Sequence, residues 1–347
     1  MSYKAVEIKG TMGFGTMSMT WTPTPPPTEK SIETLKYVTG EKGVSLLNGG
    51  EFYGSDFANL KLIKKFLDSN EGGINSQLVI GIKGALNNAT LAPDGSKESV
   101  VRSVNTLTEY FPVDMPNRPK MLFEIARVDP NIPYEDTIGY IADFVKEGKI
   151  DGISLSEVGL GSIAKACNVF PISCVELELS LLCQDLITNG ILQELSSRQI
   201  PIVAYSPLCR GLLTDSHVKN QNSFHDNLHP HDMKNHLEKF SKENYGANMK
   251  LVNALHEFAH QKKKTSLESL SLSWIVAISG RSNFNGISKV TRILPIPSGS
   301  SKEKIDNNLD NIVELTDEDL KEINEISEKY PVQGLRYNAA HEKFTFA

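Results

Sequence analysis

The chain has 347 residues, 42 acidic and 36 basic side chains and a formal net charge of −6. That balance excludes the basic footprint of a nucleic-acid-binding surface. No apolar run reaches the roughly 18 residues a membrane helix needs, and the opening MSYKAVEIKG lacks the apolar core of a secretion signal. Four cysteines, Cys167, Cys174, Cys183 and Cys209, show neither CxxC spacing nor disulfide-like density. They point to a reduced protein inside the cell, in the cytoplasm or alternatively the nucleus.

Short apolar runs with strand character recur along the chain, and helix-period segments separate most of them. TMGFGTM (11–17) comes first and VSLLN (44–48) second. Leu60, Ile63, Phe66 and Leu67 then make one helical face before the third run, LVIGIK (78–83). Val100, Val104, Leu107 and Phe111 make another at i, i+4, i+7 and i+11, ahead of MLFEIAR (121–127). Ile138, Ile141, Phe144 and Val145 make a third, and Gly148 closes that helix. GISLSE (152–157), CVELEL (174–179) and IVAYSP (202–207) follow, with Ile163 and Cys167, then Leu186, Ile187, Ile191 and Leu195, between them. The segment from about Cys209 to Tyr245, rich in Asn, His, Asp and Lys, reads as a lid or substrate loop, or as a mobile insertion. Thr265-x-x-Glu268 reads as a capping box for a helix carrying Leu270 and Trp274, and ILPIP (293–297) is the eighth run.

Eight strands alternating with helices, with no linker between two halves, predict one domain over residues 1–347, a closed (β/α)8 barrel. A doubly wound sheet would want GxGxxG between a strand and a helix. Gly13-Phe-Gly15-Thr-Met-Ser18 lacks the third glycine and runs into WTPTPPP, which cannot start a helix directly.

In a barrel, chemistry gathers where the strands end. Asn48 with Tyr53, Lys83, Arg127 and Tyr205 with Ser206 lie at four such ends. A lysine ammonium beside a phenol favours phenolate and is expected to lower the Tyr53 pKa from about 10. A tyrosine of that kind suits carbonyl reduction, where a proton must reach oxygen as hydride reaches carbon. The bland alternative is a half-buried loop aromatic and a snorkelling lysine. Lys83 argues against it, because a lysine ending a buried strand is costly without a partner. A second site lies at PSGSSKEK (297–304), where a strand ends, a Ser/Gly turn follows and Ser300-x-x-Glu303 reads as a capping box. Backbone N–H groups at such a helix start, with Ser298, Ser300, Lys302 and Lys304, suit a phosphate. A capped helix with surface lysines is the simpler reading of the same residues.

GFGTM, EFYG, the lysine closing LVIGIK, ARVDP, SLSEV, AYSPL-x-x-GLL and PIPSGSS, in that order, resemble the aldo-keto reductase superfamily over most of the chain. The resemblance implies a (β/α)8 barrel that holds NADP(H) in an extended conformation, with an Asp, Tyr, Lys, His tetrad. Its tyrosine and lysine correspond to Tyr53 and Lys83. Its aspartate falls on Asn48 and its histidine on Ala126. Asn48 can accept a hydrogen bond from Lys83 without neutralising it, so Lys83 is expected to act as a bare charge on Tyr53. Strand alternation puts Glu124 on the side of Ala126, where it is a second-layer partner for Lys83. The resemblance further implies Ser156, Glu157 and Glu176 around the nicotinamide carboxamide and Tyr205 on the ring face. It places Ser206, Leu208, Gly211 and Leu213 along the pyrophosphate, and Ser298, Ser300, Lys304 and Asn308 by the adenosine 2′-phosphate and adenine. Trp21, Ala126 and Arg127 would border the substrate.

GEFYG, ARVD in place of a histidine motif, CVELELSL and the terminal GLRYN resemble the fungal pyridoxal reductase branch, whose members reduce pyridoxal to pyridoxine with NADPH. The small-molecule substrate expected is then an aldehyde. The alternatives are a broad reductase of reactive aldehydes and ketones, or a cofactor-binding regulator with little turnover. Two patterns stand outside this reading. His256-Glu-Phe-Ala-His260 matches the HExxH zinc pattern, but Leu251, Val252, Leu255, Phe258 and Ala259 explain that helix as barrel packing, and no third ligand is evident downstream. His225, His229, His231 and His236 read as polar loop residues, and Lys262 to Lys264 as a solvated helix end. No metal is expected.

Overall fold

A computed structural model describes residues 3–70, 73–87 and 90–347. Its strands are β1 (Phe14–Gly15), β2 (Leu46–Gly50), β3 (Val79–Gly84), β4 (Lys120–Ile125), β5 (Gly152–Ser156), β6 (Ile172–Glu178) and β7 (Ile202–Tyr205), then β8 (Ser282–Phe284), β9 (Ile287–Lys289) and β10 (Ile293–Pro295). Seven parallel pairings give the order β1-β2-β3-β4-β5-β6-β7-β10. Gly13 N–H donates to Pro295 O (3.0 Å) and Gly15 N–H to Pro297 O (3.3 Å), which brings the last strand back to the first. The eight expected strands are therefore the barrel strands, and β8 and β9 form a separate antiparallel hairpin.

Strand alternation sorts each strand into two sets. Outward residues such as Leu47, Ile80, Ile82, Phe123, Ile153, Val175 and Ile202 join the large apolar core beneath the helices. The predicted helical faces supply its other half: Leu60, Ile63 and Phe66 from Ala58–Asp68, Val100, Val104 and Leu107 from Lys97–Tyr110, Ile138 and Ile141 from Tyr134–Lys146. Inward residues Leu46, Val79, Leu122, Cys174, Val203 and Leu294 form a second cluster with Ile8 and Ile296. That cluster is an apolar floor. The next inward residues along the strands are polar, and they make the site described below.

Several boundaries differ from expectation. β1 covers two residues instead of 11–17, because the backbone on either side follows Pro295, Pro297 and Asn48 only through isolated hydrogen bonds. The helix cap at 265 is Ser266, whose side chain accepts from Ser269 N–H, so Thr265 does not cap. Near 300 the cap is Ser301, accepting from Lys304 N–H, so Ser300 does not cap. Gly148 does end its helix, at φ +73°. The segment expected as a loop from Cys209 to Tyr245 is a run of short helical turns, with the helix Lys242–Phe258 already begun at its end. It is pinned by its own aromatics: Phe224 stacks on Tyr245 (4.8 Å, 10°), and Leu237, Phe240 and Tyr245 are buried. No helix among the described residues is long and apolar enough to cross a membrane.

Phe123 is fully buried on the outer face of β4. Phe123→Ala should lower unfolding stability by about 3–5 kcal/mol, read from urea unfolding followed by far-UV circular dichroism.

Candidate active site

The turn after β2 is shaped to present Tyr53. Gly50 lets the ring fold back over the strand end: a Cβ there would meet the Tyr53 ring at 3.0 Å. Gly54 has φ +89°, and a Cβ on it would lie 2.6 Å from Thr20 O, so the turn presses against the preceding loop. That loop brings Trp21, 39% exposed, into a stack on Tyr53 (5.5 Å, 28°), while Phe52 meets the ring edge-on (5.1 Å, 82°). Tyr53 is left 7% exposed and faces Lys83, whose Nζ lies 5.7 Å from the ring centroid.

Lys83 is the last residue but one of β3 and is buried. Its Nζ donates to Asn48 Oδ1 (3.0 Å) and Glu176 Oε2 (2.5 Å), and lies 3.4 Å from Glu124 Oε1. Asn48 Nδ2 donates to the same Glu176 oxygen at 2.5 Å, and Ser154 Oγ donates to Glu124 Oε2 at 2.6 Å. Neighbouring strands β2 to β6 thus each place a polar group at one level of the barrel, above the apolar floor.

This geometry corrects two expectations. Lys83 is not a bare charge, because two carboxylates face it. Burial works against its ammonium, but the charges of Glu124 and Glu176 outweigh burial and hold the lysine above its ordinary range. Nor is the Tyr53 phenol lowered. Burial, opposed by the Lys83 charge and reinforced by those of Glu176 and Glu124, moves it above its ordinary value. One ammonium cannot neutralise two carboxylates. Burial and the charge of Glu176 accordingly raise the Glu124 carboxyl to about 8.

A second polar group sits at the mouth, built by residues far apart in sequence. Glu157 and Glu178 both accept from Arg336, at 2.6 Å (Nη2) and 3.0 Å (Nε). Tyr205 Oη donates to Glu157 Oε1 (2.8 Å) and lies 3.0 Å from Tyr337 Oη. Arg127 and Arg210 donate to Tyr337 Oη at 3.3 and 3.1 Å. Burial would raise the Glu157 carboxyl, but the charges of Arg336 and Arg127 hold it below its ordinary value. The last residues secure this arrangement: Gly159 N–H donates to Ala347 O (2.8 Å), and the Arg336 guanidinium covers the Phe346 ring (4.4 Å). Glu157 (φ +53°) and Ser206 (φ +49°) are held in the left-handed region, a strain that gathers where strands deliver functional groups.

The remaining expected residues divide by position. Ser156 is buried at the end of β5, and its Oγ has no hydrogen-bond partner among the described residues. Ala126 is buried beyond β4, its N–H donating to Gly84 O (3.1 Å) beside Lys83. Leu208 precedes and Gly211 ends the tight turn Cys209–Gly211 after β7, and Leu213 is buried behind it. Ile296 N–H donates to Ala204 O (3.0 Å), so the serine turn continues directly beside Tyr205 and Ser206. There Ser298, Ser300 and Lys304 are exposed at the start of the helix Lys302–Leu309, and Asn308 Nδ2 ties back to Ser298 O (3.2 Å).

Sequence reasoning missed Glu178, Arg210, Arg336 and Tyr337 as site residues. Glu178 had a signal, since it alternates inward with Glu176 on one strand. Arg336 and Tyr337 had only the motif GLRYN, whose side chains carried no assigned role. For Glu176 the partners are Lys83 and Asn48, which the carboxamide reading did not foresee.

Comparison with known proteins agrees with this architecture. The Aldo/keto reductase family profile matches residues 11–328. The chain is 33% identical to a "Probable pyridoxal reductase 2" of Schizosaccharomyces pombe, over 95% of each chain. It is 34% identical to a "Putative pyridoxal reductase" of Saccharomyces cerevisiae, over 94% of this chain and 96% of that one. The solved glycerol dehydrogenase of Gluconobacter oxydans superposes with a TM-score of 0.74 at 16% identity, over 94% of both chains, which supports the fold. The barrel, its strand-end site and these matches together place the chain in the aldo/keto reductase family.

Proposed function

We propose that the protein is an NADPH-dependent aldehyde reductase that converts pyridoxal to pyridoxine. The observation that carries the reading is the buried, charge-compensated Lys83 beneath a neutral phenol, Tyr53. The two relatives of more than 30% identity that carry the printed name pyridoxal reductase support the choice of substrate.

Bound NADPH would supply hydride to the aldehyde carbon. Ser156 Oγ, buried and without a partner among the described residues, is a polar atom suited to the carboxamide. Glu157 would take part beside it, and the Tyr205 ring would meet the nicotinamide face. Ser206, Leu208, Gly211 and Leu213 would follow the pyrophosphate, and Ser298, Ser300, Lys304 and Asn308 the adenosine phosphate end. Exposed serines and a lysine at a helix start favour the extra phosphate of NADP.

Tyr53 donates the proton. Because burial keeps its phenol protonated, it acts as an acid on the developing alkoxide without first having to recover a proton. Lys83 stabilises the phenolate left behind. Glu176 takes the place of the missing aspartate: it supplies the countercharge to Lys83 from β6 that the family pattern supplies from the Asn48 position on β2. Asn48 bridges the two by accepting from Lys83 and donating to Glu176. At Ala126 no side chain can donate to the substrate oxygen. Pyridoxal carries its own hydroxyl beside the aldehyde, and an internal hydrogen bond replaces that donor. Trp21, stacked on Tyr53, would border the aromatic substrate, with Arg127 at the rim. Four unpaired cysteines fit a reducing cytoplasm.

Tyr53→Phe should reduce pyridoxal-dependent NADPH oxidation by about 10²–10⁴-fold while cofactor binding, read by fluorescence, persists. Run on a panel of aldehydes and ketones with NADPH and NADH, the same assay separates the readings. Fast turnover of other carbonyls without pyridoxal would favour a broad reductase, and NADPH binding without any turnover a regulator. Glu176→Gln should lower kcat at least tenfold, on the scale of about 1.4 kcal/mol. Asn48→Asp added to it should restore most of the loss, because the countercharge returns to the other side of Lys83. A double variant no faster than Glu176→Gln would refute the relocated charge.

A further inference from the structure

The helix Lys242–Phe258 and the π-helical turn Ala259–Lys263 that continues it carry His256 and His260 one turn apart. Helical spacing puts both on one face, and their ring centroids are 4.3 Å apart. The inner face of the helix, with Leu251, Val252, Leu255, Phe258 and Ala259, is buried as barrel packing, so the histidines are not needed for the core.

The third ligand lies upstream, where the HExxH pattern does not look for it. Asp215 opens the helix Asp215–Asn220, and its carboxylate meets both imidazoles. Oδ2 lies 2.9 Å from His260 Nε2 and Oδ1 3.5 Å from His256 Nε2. The three candidate ligand atoms all lie within 4.8 Å of one another. Tetrahedral zinc with bonds of about 2.0–2.1 Å needs ligand atoms roughly 3.3 Å apart, so small side-chain shifts suffice. Asp215 is already fixed: Oδ1 accepts from Leu267 N–H (3.0 Å), and its own N–H donates to Glu268 (3.1 Å). The neighbouring cations are engaged elsewhere, Lys262 with Glu322 and Lys263 with Asp319. The side chains of Asp215, His256 and His260 are 34%, 31% and 45% exposed, so an ion can reach them from solvent.

We propose that Asp215, His256 and His260 form a binding site for one divalent transition-metal ion of the zinc type, separate from the barrel mouth. Two imidazoles and one carboxylate suit zinc, cobalt or nickel, whereas magnesium and calcium want oxygen ligands. The site joins the segment that follows Leu213 to the helix Lys242–Phe258. Metal binding to the folded chain alone therefore stabilises that connection. The HExxH glutamate, Glu257, is exposed on the helix, and no peptidase chemistry is assigned to it.

The test is isothermal titration of the chelator-stripped full chain with zinc chloride. The expected result is one saturable site per chain and a rise in thermal midpoint on saturation. The site should be lost in the His256→Ala/His260→Ala double variant and weakened at least about tenfold in Asp215→Asn. His225→Ala should bind as the parent does, and magnesium should give no saturable binding. Cobalt(II) added to the unaltered chain should give the visible absorption of a four-coordinate site, a readout independent of how any variant folds. Absence of saturable zinc uptake, unchanged binding in the double variant, or a purely six-coordinate cobalt spectrum would each overturn the proposal.

Discussion

The site depends on keeping one ammonium charged inside a barrel. A lysine taken out of water costs several kcal/mol unless its partners replace the lost hydration. Lys83 has three, Asn48, Glu176 and Glu124, each from a different strand. Their parallel pairing fixes the distances, since Gly50 registers with Lys83 and Lys83 with Glu124. The pair of carboxylates overcompensates, and the excess shows in Glu124, raised to about 8. The result is a positive charge that is fixed in place and electrically shielded, facing a phenol that keeps its proton. A bare lysine would instead have favoured the Tyr53 phenolate.

Above the apolar floor, the barrel interior carries two charge clusters of different construction. The lower one is made by strand residues alone. The upper one needs the C-terminal segment, because Arg336 supplies the cation between Glu157 and Glu178. Without it, two carboxylates would stand together at the mouth. Tyr205 and Tyr337 join this cluster through their hydroxyls, and Arg127 and Arg210 reach it from separate loops. The segment that closes the chain is thereby part of the site's electrostatics.

Much of this was legible in the sequence for plain reasons. Strands buried on both faces read as apolar runs, and all eight barrel strands were visible that way. Asn48 and Lys83 were visible because each ends an apolar run with a polar group out of place in a core, and Tyr53 because it stands in the glycine-rich turn just after one. The caps at 266 and 301 were each missed by one residue, since adjacent serines and threonines are equivalent until the backbone selects one. The charge of Lys83 was misjudged because its partner Glu176 lies 93 positions away and becomes a neighbour only through closure of the barrel. Arg336 was illegible for the same reason, at 179 positions from Glu157. Asp215 shows the limit of linear patterns, as a candidate ligand that tertiary packing brings to His256 and His260 from upstream of their motif.

The most direct measurement of the central claim is the titration of Tyr53 itself. Tyrosine labelled with ¹³C at Cζ, assigned with Tyr53→Phe, reports its ionisation by NMR. Burial and the carboxylates around Lys83 raise the phenol, so its resonance should hold its neutral position through pH 8 and move only above the ordinary tyrosine value of about 10. A Tyr53 that ionises near neutrality would contradict the account, because Lys83 would then be uncompensated.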